Sequence, residues 1–107
     1  MFAQRWFLEP YKDFYFIRNV KSCFVITIKN KKAKESAELI QEKEHENEHK
    51  YQLWSIEERG HRVYSIRLAS EQMFFMGIKN YWKGGSPALL VSTENRNFWR
   101  ITASHKL

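Results

Sequence analysis

A segment near the middle of the chain has the spacing of a zinc hydrolase. His45-Glu46-Asn47-Glu48-His49 reads H-E-x-x-H, and on a helix its two histidines would share a face and bind zinc while the glutamate activates water. Such a centre needs a third ligand, and only His61 and His105 remain among the histidines. The flanking residues are mostly charged, so the pattern predicts a solvated loop. We therefore predict no metal site, no cofactor and no catalytic residue.

A second candidate for chemistry is the aromatic segment Lys79–Gly85, which also contains glycine. Trp82 and Tyr81 are not needed there for strand pairing, and their rings can stack on a sugar or a base. Asn80 and Lys83 would supply hydrogen bonds to the same ligand. The alternative is that one ring closes the bottom of a barrel, and the sequence leaves both interpretations open. Asn80, Tyr81, Trp82 and Lys83 are our predicted ligand-binding residues.

A run of basic residues occurs at Lys29-Asn30-Lys31-Lys32-Ala33-Lys34. Such runs can contact phosphates. Glu35 and Glu38 follow at once, and this mixture of charges is more typical of a solvated loop. We therefore expect no nucleic-acid partner.

Length and composition fix the class of protein. The 107 residues suffice for one domain, because domains usually contain about 100–150 residues. Apolar residues at 43% and charged residues at 28% are typical of a soluble globular chain, and the net charge of +6 favours acidic partners. No apolar run approaches the roughly 18 residues of a membrane span, so we expect no membrane partner. Met1–Pro10 contains no signal-peptide core, which predicts a cytoplasmic location by default.

Most of the chain alternates apolar and polar residues as short strands do. The exception is residues 31–50, which are rich in the helix formers Lys, Glu, Ala and Gln. The apolar stripe of a helix over 32–49 would be too narrow to bury well, so we favour a short strand over Ala37–Gln41. The other predicted strands are Tyr15–Val20, Phe24–Ile28, Val63–Leu68, Met73–Ile78, Ala88–Val91 and Asn97–Ile101.

An internal repeat connects these strands. Three times, an amide residue stands two positions before a tryptophan and an aliphatic residue two positions after it, with the tryptophans 48 and 45 residues apart. Between these elements, Tyr15-Phe16-Ile17-Arg18 is matched by Tyr64-Ser65-Ile66-Arg67, and an apolar strand follows each. The three tryptophan elements are Gln4-Arg5-Trp6-Phe7-Leu8, Gln52-Leu53-Trp54-Ser55-Ile56 and Asn97-Phe98-Trp99-Arg100-Ile101.

This combination resembles the ricin B-type β-trefoil lectin-like family, especially its compact fungal-lectin-like branch. The resemblance implies an all-β, β-trefoil-like fold with pseudo-three-fold symmetry, built from three four-stranded repeats with Gln/Asn-x-Trp elements. Residues 1–107 would form one domain, with 3–9 as the last strand of repeat one, 14–57 as repeat two and 62–102 as repeat three. About nine of twelve strands would then be present. We expect the flank left open by the first repeat to make a homo-oligomer possible.

The resemblance also implies roles for the repeated residues. The tryptophans would fill the core, and the amide residues would tie loops together through hydrogen bonds. These structural residues are Gln4, Trp6, Gln52, Trp54, Asn97 and Trp99.

A sugar site in this family uses an Asp near the second strand, an aromatic ring, and an Asn before the Gln-x-Trp element. Here Thr27 and Gly77 stand at the Asp positions, and Tyr51 and Arg96 replace the Asn. A carboxylate is the strongest acceptor for hydroxyl groups, so these replacements weaken the usual sites. Asn95 lies close to the Asn position and joins the predicted ligand-binding residues.

The resemblance predicts a non-enzymatic, lectin-like module whose partner is a glycan or a glycoprotein. Two other functions remain open. Compact trefoils also include protease inhibitors, which present loops to a target enzyme. The chain could instead be a protein-interaction subunit without sugar binding.

Overall fold

The computed structural model describes residues 5–47, 49–78, 88–92 and 98–100. In this part the chain is all-β, as predicted, with no α-helix and with one short 3-10 turn at Lys29–Lys31. Each strand predicted from alternation has its counterpart. The nine strands are β1 (Trp6–Tyr11), β2 (Phe14–Asn19), β3 (Val25–Ile28), β4 (Leu39–Glu42), β5 (Trp54–Gly60), β6 (Val63–Leu68), β7 (Phe75–Ile78), β8 (Ala88–Val91) and β9 (Trp99–Arg100).

Two kinds of strand build one antiparallel, barrel-like sheet. Five strands pair in the order β1–β2–β5–β6–β9. The other four form two hairpins, β3–β4 and β7–β8, which pair with β2 and β6 respectively. The long hairpins β1–β2 and β5–β6 turn tightly at residues 12–13 and 61–62, where Lys12 and Arg62 have φ values of 56° and 60°.

Strands β2 and β6 occupy equivalent places in this sheet. The second residue of each strand pairs with a tryptophan, which lies on β5 for β2 and on β9 for β6. The fifth residue of each pairs with the first residue of the hairpin that follows, on β3 or on β7. The Tyr-x-Ile-Arg repeat is therefore a repeat of strand pairing as well as of residue type. The matching pairs are Tyr15–Trp54 with Tyr64–Trp99, and Arg18–Val25 with Arg67–Phe75.

The two hairpins also share one register. Val25 pairs with Glu42 in the first, and Phe75 pairs with Val91 in the second, with three further matched pairs in each. The hairpins contact one another where the amide of Leu90 donates to the carbonyl of Ala37 at 2.9 Å. This contact holds the β3–β4 connection against β8.

The core is formed by the buried residues of these strands together with Trp54 of the repeat. Trp54, Leu68 and Leu90 are completely buried. Burying such side chains stabilises the fold by roughly 1.5–3 kcal/mol each. The buried cluster contains Leu8, Ile17, Ile28, Ala37, Trp54, Ile66, Leu68, Phe74, Met76 and Leu90.

The charged segment forms a strand, as we favoured, and not a helix. Strand β4 covers Leu39–Glu42, one residue beyond the predicted Ala37–Gln41 at its end. Ala37 is buried in the core, and Glu38 forms a bridge to Leu89. All four residues of β4 are half-buried, and pairing with β3 satisfies their backbone where a helix would have had too narrow an apolar stripe. The repeat boundaries 3–9, 14–57 and 62–102 stay predictions. No helix in the described part of the chain is long and apolar enough to cross a membrane.

Candidate ligand-binding site in the strand connections

Two tryptophans of the repeat make the same contact in the two sets of four strands, β2–β5 and β6–β9. The indole nitrogen of Trp54 donates to the carbonyl oxygen of Ile26 at 3.2 Å, and that of Trp99 donates to the carbonyl oxygen of Met76 at 2.9 Å. Ile26 and Met76 occupy the same position of β3 and β7. Trp54 is fully buried, whereas Trp6 and Trp99 are half-buried and pack against the core.

The side chain of Gln52 is buried and ties a loop to the barrel. Its amide nitrogen donates to the carbonyl of Lys43 at 3.0 Å, and its oxygen accepts from the amide of His45 at 2.9 Å. The loop that follows β4 is thereby fixed beside β5. The other two amide residues of the repeat, Gln4 and Asn97, lie outside the described residues.

The position implied for the family's Asp carries no carboxylate. Thr27 is buried on β3, and its hydroxyl donates to the carbonyl of Tyr51 at 2.9 Å. Gly77 is buried on β7 and has no side chain to offer a ligand. Arg96 lies beyond the part that the structure describes. Neither Thr27 nor Gly77 can therefore provide a charged acceptor for sugar hydroxyls.

The arginine of the Tyr-x-Ile-Arg element forms a cross-strand ion pair in both strand sets, which sequence reasoning missed. Arg18 contacts the carboxylate of Glu9 on β1 at 2.5 Å and that of Glu44 at 2.6 Å. Arg67 contacts Glu57 on β5 at 3.0 Å. Glu9 and Glu57 each stand three positions after a repeat tryptophan. That spacing is the signal that would have found them.

The Arg18 network holds three segments together. Its guanidinium also donates to the carbonyl of Cys23 at 2.7 Å, so that β1, the β2–β3 turn and the loop after β4 meet at one side chain. Burial alone would lower the pKa of Arg18, but the hydrogen bonds to Glu44 and Glu9 and their charges outweigh it and raise the pKa. The network therefore supports the frame of the molecule, and it places one positive charge between two negative charges.

The histidines of the H-E-x-x-H segment do not converge on one point. His49 packs edge-on against Tyr11 and Phe16, with ring centroids 4.9 and 5.1 Å away. The Nε2 atom of His45 lies 3.6 Å from Glu42 instead. Among the described residues, no group of three or more His, Cys, Asp or Glu side chains is placed to hold a metal ion.

The connection between β3 and β4 lines an open pocket of about 390 Å³. Lys32 has an extended backbone, with φ −124° and ψ 111°, and Ala33 packs against the core. Because side chains alternate along extended chain, Lys32 and Lys34 point away from the core. The pocket is lined by Lys29, Asn30, Lys32, Lys34, Ser36, Ala37 and Glu38.

The predicted ligand-binding residues fall in the corresponding connection of the second hairpin. Residues 79–87 join β7 to β8 as 29–38 join β3 to β4. Asn80, Tyr81, Trp82 and Lys83, like Asn95, lie outside the described residues. Residues 80–83 therefore have a place in the chain equivalent to that of the lysine-lined pocket, which the sequence predicted only as a solvated loop, whereas Asn95 lies between β8 and β9.

The barrel order and the two matched hairpins define a β-trefoil. A family model described as "Ricin-type beta-trefoil lectin domain-like" matches residues 2–88. The chain belongs to the ricin-type β-trefoil lectin-like family, which confirms the resemblance seen in the sequence. Carbohydrate binding, which the sequence implied for this chain, is a general property of the family.

A solved structure supports the fold independently. The chain is similar to ThreeFoil, a designed three-fold symmetric protein, with a TM-score of 0.75 at 16% sequence identity. The match covers 91% of this chain and 69% of that chain. Identity at this level shows a shared fold alone. Among curated proteins, none matches the chain significantly.

Proposed function

We propose that the protein is a non-enzymatic carbohydrate-binding module. The observation that carries the proposal is the match of the ricin-type lectin-like family over residues 2–88. Recognition would consist of ring stacking and hydrogen bonds to a glycan or glycoprotein, without bond cleavage.

The β7–β8 connection is the proposed main binding site. Its counterpart between β3 and β4 encloses a pocket, so this position of a hairpin is able to present side chains around a concave surface. Trp82 and Tyr81 supply rings for the apolar face of a sugar. Asn80 and Lys83 of this connection supply hydrogen bonds to hydroxyl groups, and Asn95, from the segment between β8 and β9, is proposed to add another. With Gly77 at the family's Asp position, stacking carries more of the recognition than a carboxylate does.

A glycan array with the 107-residue chain tests the proposal, followed by titration of the best glycan into Trp82→Ala. Loss of one stacked ring should weaken binding about tenfold. Phe24→Ala is the matched control, because Phe24 is 41% exposed and precedes β3. It removes an aromatic ring elsewhere and should leave affinity unchanged.

An array without any bound glycan would overturn the carbohydrate proposal. The two alternative functions would then come forward, a trefoil protease inhibitor and a protein-interaction subunit. Inhibition of a panel of proteases would distinguish the first of these from the second.

A further inference from the structure

We propose that the pocket between β3 and β4 binds the acidic group, sulfate or carboxylate, of an anionic saccharide. The inference rests on the proposed carbohydrate-binding function and adds a second site of different chemistry. It starts from charge. The pocket is lined by three lysines and one glutamate, so it carries an excess of positive charge.

Among the described residues, two of the three lysines have no acidic partner. The ammonium of Lys29 lies 3.6 Å from the carboxylate of Glu38, with both side chains about half exposed. Lys32 and Lys34 form no ion pair within the part of the chain that the structure describes. The ammonium groups of Lys32 and Lys34, both in the lining of this pocket, attract an oxyanion. Each can donate a charge-assisted hydrogen bond to it.

The backbone that presents these lysines is fixed at several points. The amide of Lys29 donates to the carbonyl of Glu38 at 2.9 Å and closes the connection at its base. The amide of Ala37 donates to Lys34 at 3.1 Å, and that of Ser36 donates to Leu90 at 2.8 Å. Less ordering is then needed when a ligand binds, which favours affinity.

The lining selects against an uncharged sugar. No aromatic side chain of the described residues lines the pocket, so stacking on an apolar sugar face is absent there. Its one carboxylate, on Glu38, is engaged by Lys29. The remaining polar groups, from Asn30 and Ser36, suit hydroxyl groups beside the acidic one. Charge must therefore dominate recognition at this place.

The same lining disfavours nucleic acid. Proteins that bind single strands combine a basic groove along the backbone with rings on which bases stack. Here the positive charge surrounds one pocket of about 390 Å³ without a ring in its wall. An acidic group on a saccharide fits this arrangement better than a continuous phosphate backbone does.

The experiment is a titration of the 107-residue chain with four probes. These are a sulfated glycosaminoglycan hexasaccharide, its desulfated form that retains carboxylates, a neutral hexasaccharide, and single-stranded DNA of matched charge. The double variant Lys32→Gln/Lys34→Gln should weaken binding of the better acidic saccharide more than about tenfold. The slope of log affinity against log salt should fall by about 2.

Lys21→Gln/Lys43→Gln is the matched control. Both lysines are exposed and neither lines the pocket, so the control removes equal charge and should change affinity less than about threefold. Equal losses in the two variants would overturn the inference, as would tighter binding of the DNA.

The probes also separate the two proposals. If none of the three saccharides binds, this inference is overturned, whereas the proposed function is overturned only if the glycan array is empty as well. Binding of the neutral hexasaccharide without preference for either acidic form would overturn this inference alone. Preference for the sulfated or for the desulfated acidic form would support it and identify the acidic group.

Discussion

The indole nitrogen of Trp54 donates a hydrogen bond to the carbonyl oxygen of Ile26 across 3.2 Å. Trp54 lies on β5 and Ile26 on β3, and these two strands are not paired with one another in the sheet. The hydrogen bond therefore couples the barrel to its hairpin.

Trp54→Phe should destabilise the protein by about 1–3 kcal/mol, because a buried carbonyl loses its donor and a larger ring is replaced by a smaller one. Trp99→Phe is the control, since Trp99 makes the matching bond to Met76 from a half-buried position. Urea unfolding followed by far-UV circular dichroism measures both. A loss at Trp99 equal to or greater than that at Trp54 would contradict the prediction.

Gln52→Leu should cost about 2 kcal/mol of unfolding free energy. The change leaves the carbonyl of Lys43 and the amide of His45 without their partner, and backbone groups that lose a buried hydrogen-bond partner are destabilising. Gln72→Leu provides the comparison, because exposed Gln72 donates to Ala69 at the surface. Its expected cost is below about 0.5 kcal/mol. Hydrogen exchange at the His45 amide should accelerate in the first variant and not in the second.

Arg18→Lys should destabilise by about 1 kcal/mol, because an ammonium cannot contact Glu9, Glu44 and the Cys23 carbonyl from one planar group. The figure is modest because Glu9 and Glu44 are each about 40% exposed, at 43% and 38%, and water screens them. Arg67→Lys, with one acidic partner at 3.0 Å, should cost less. Thermal melting at low and high salt measures both, and a larger effect at Arg67 would refute the ranking.

The raised pKa of Arg18 has a defined consequence for pH dependence. A raised pKa contributes stability below the unfolded value and loses it only as pH rises through the folded value. An arginine stays protonated in the folded and the unfolded state over the ordinary range of pH. Stability differences between wild type and Arg18→Lys that changed with pH between neutrality and pH 10 would therefore not come from the arginine itself.

The sequence predicted the strands well because alternation and the tryptophan repeat are local signals. It did not reveal the pairing of Arg18 with Glu9, since those residues meet only when β1 and β2 align. The basic run at 29–34 was interpreted as solvated for a similar reason. Its lysines are exposed, but the pocket exists because Ser36 and Ala37 are anchored on Leu90, far along the chain.

The edge of β1 motivates a prediction about association. Among the described residues β1 pairs along one side only, with β2. Pro10 lacks an amide donor and blunts one end, while Trp6 and Phe7 lie half-buried on the rest. We expect the 107-residue chain to self-associate through this edge.

Light scattering over a hundredfold range of concentration tests the association, with Phe7→Lys as the variant that should weaken it. A charge on an edge strand opposes pairing with a second chain. A monodisperse wild-type monomer whose melting temperature does not change with concentration would show that the edge is closed by the chain itself.

Because the two hairpins share a register and β8 is bonded to the β3–β4 connection, the connections 29–38 and 79–87 begin and end at matched places of one sheet. Two weak interactions joined in this way act at a high effective concentration, so a ligand that spans both gains affinity without any new contact. For the two proposed sites we therefore predict avidity within a single small chain, toward a glycan that carries an acidic group beside a neutral sugar.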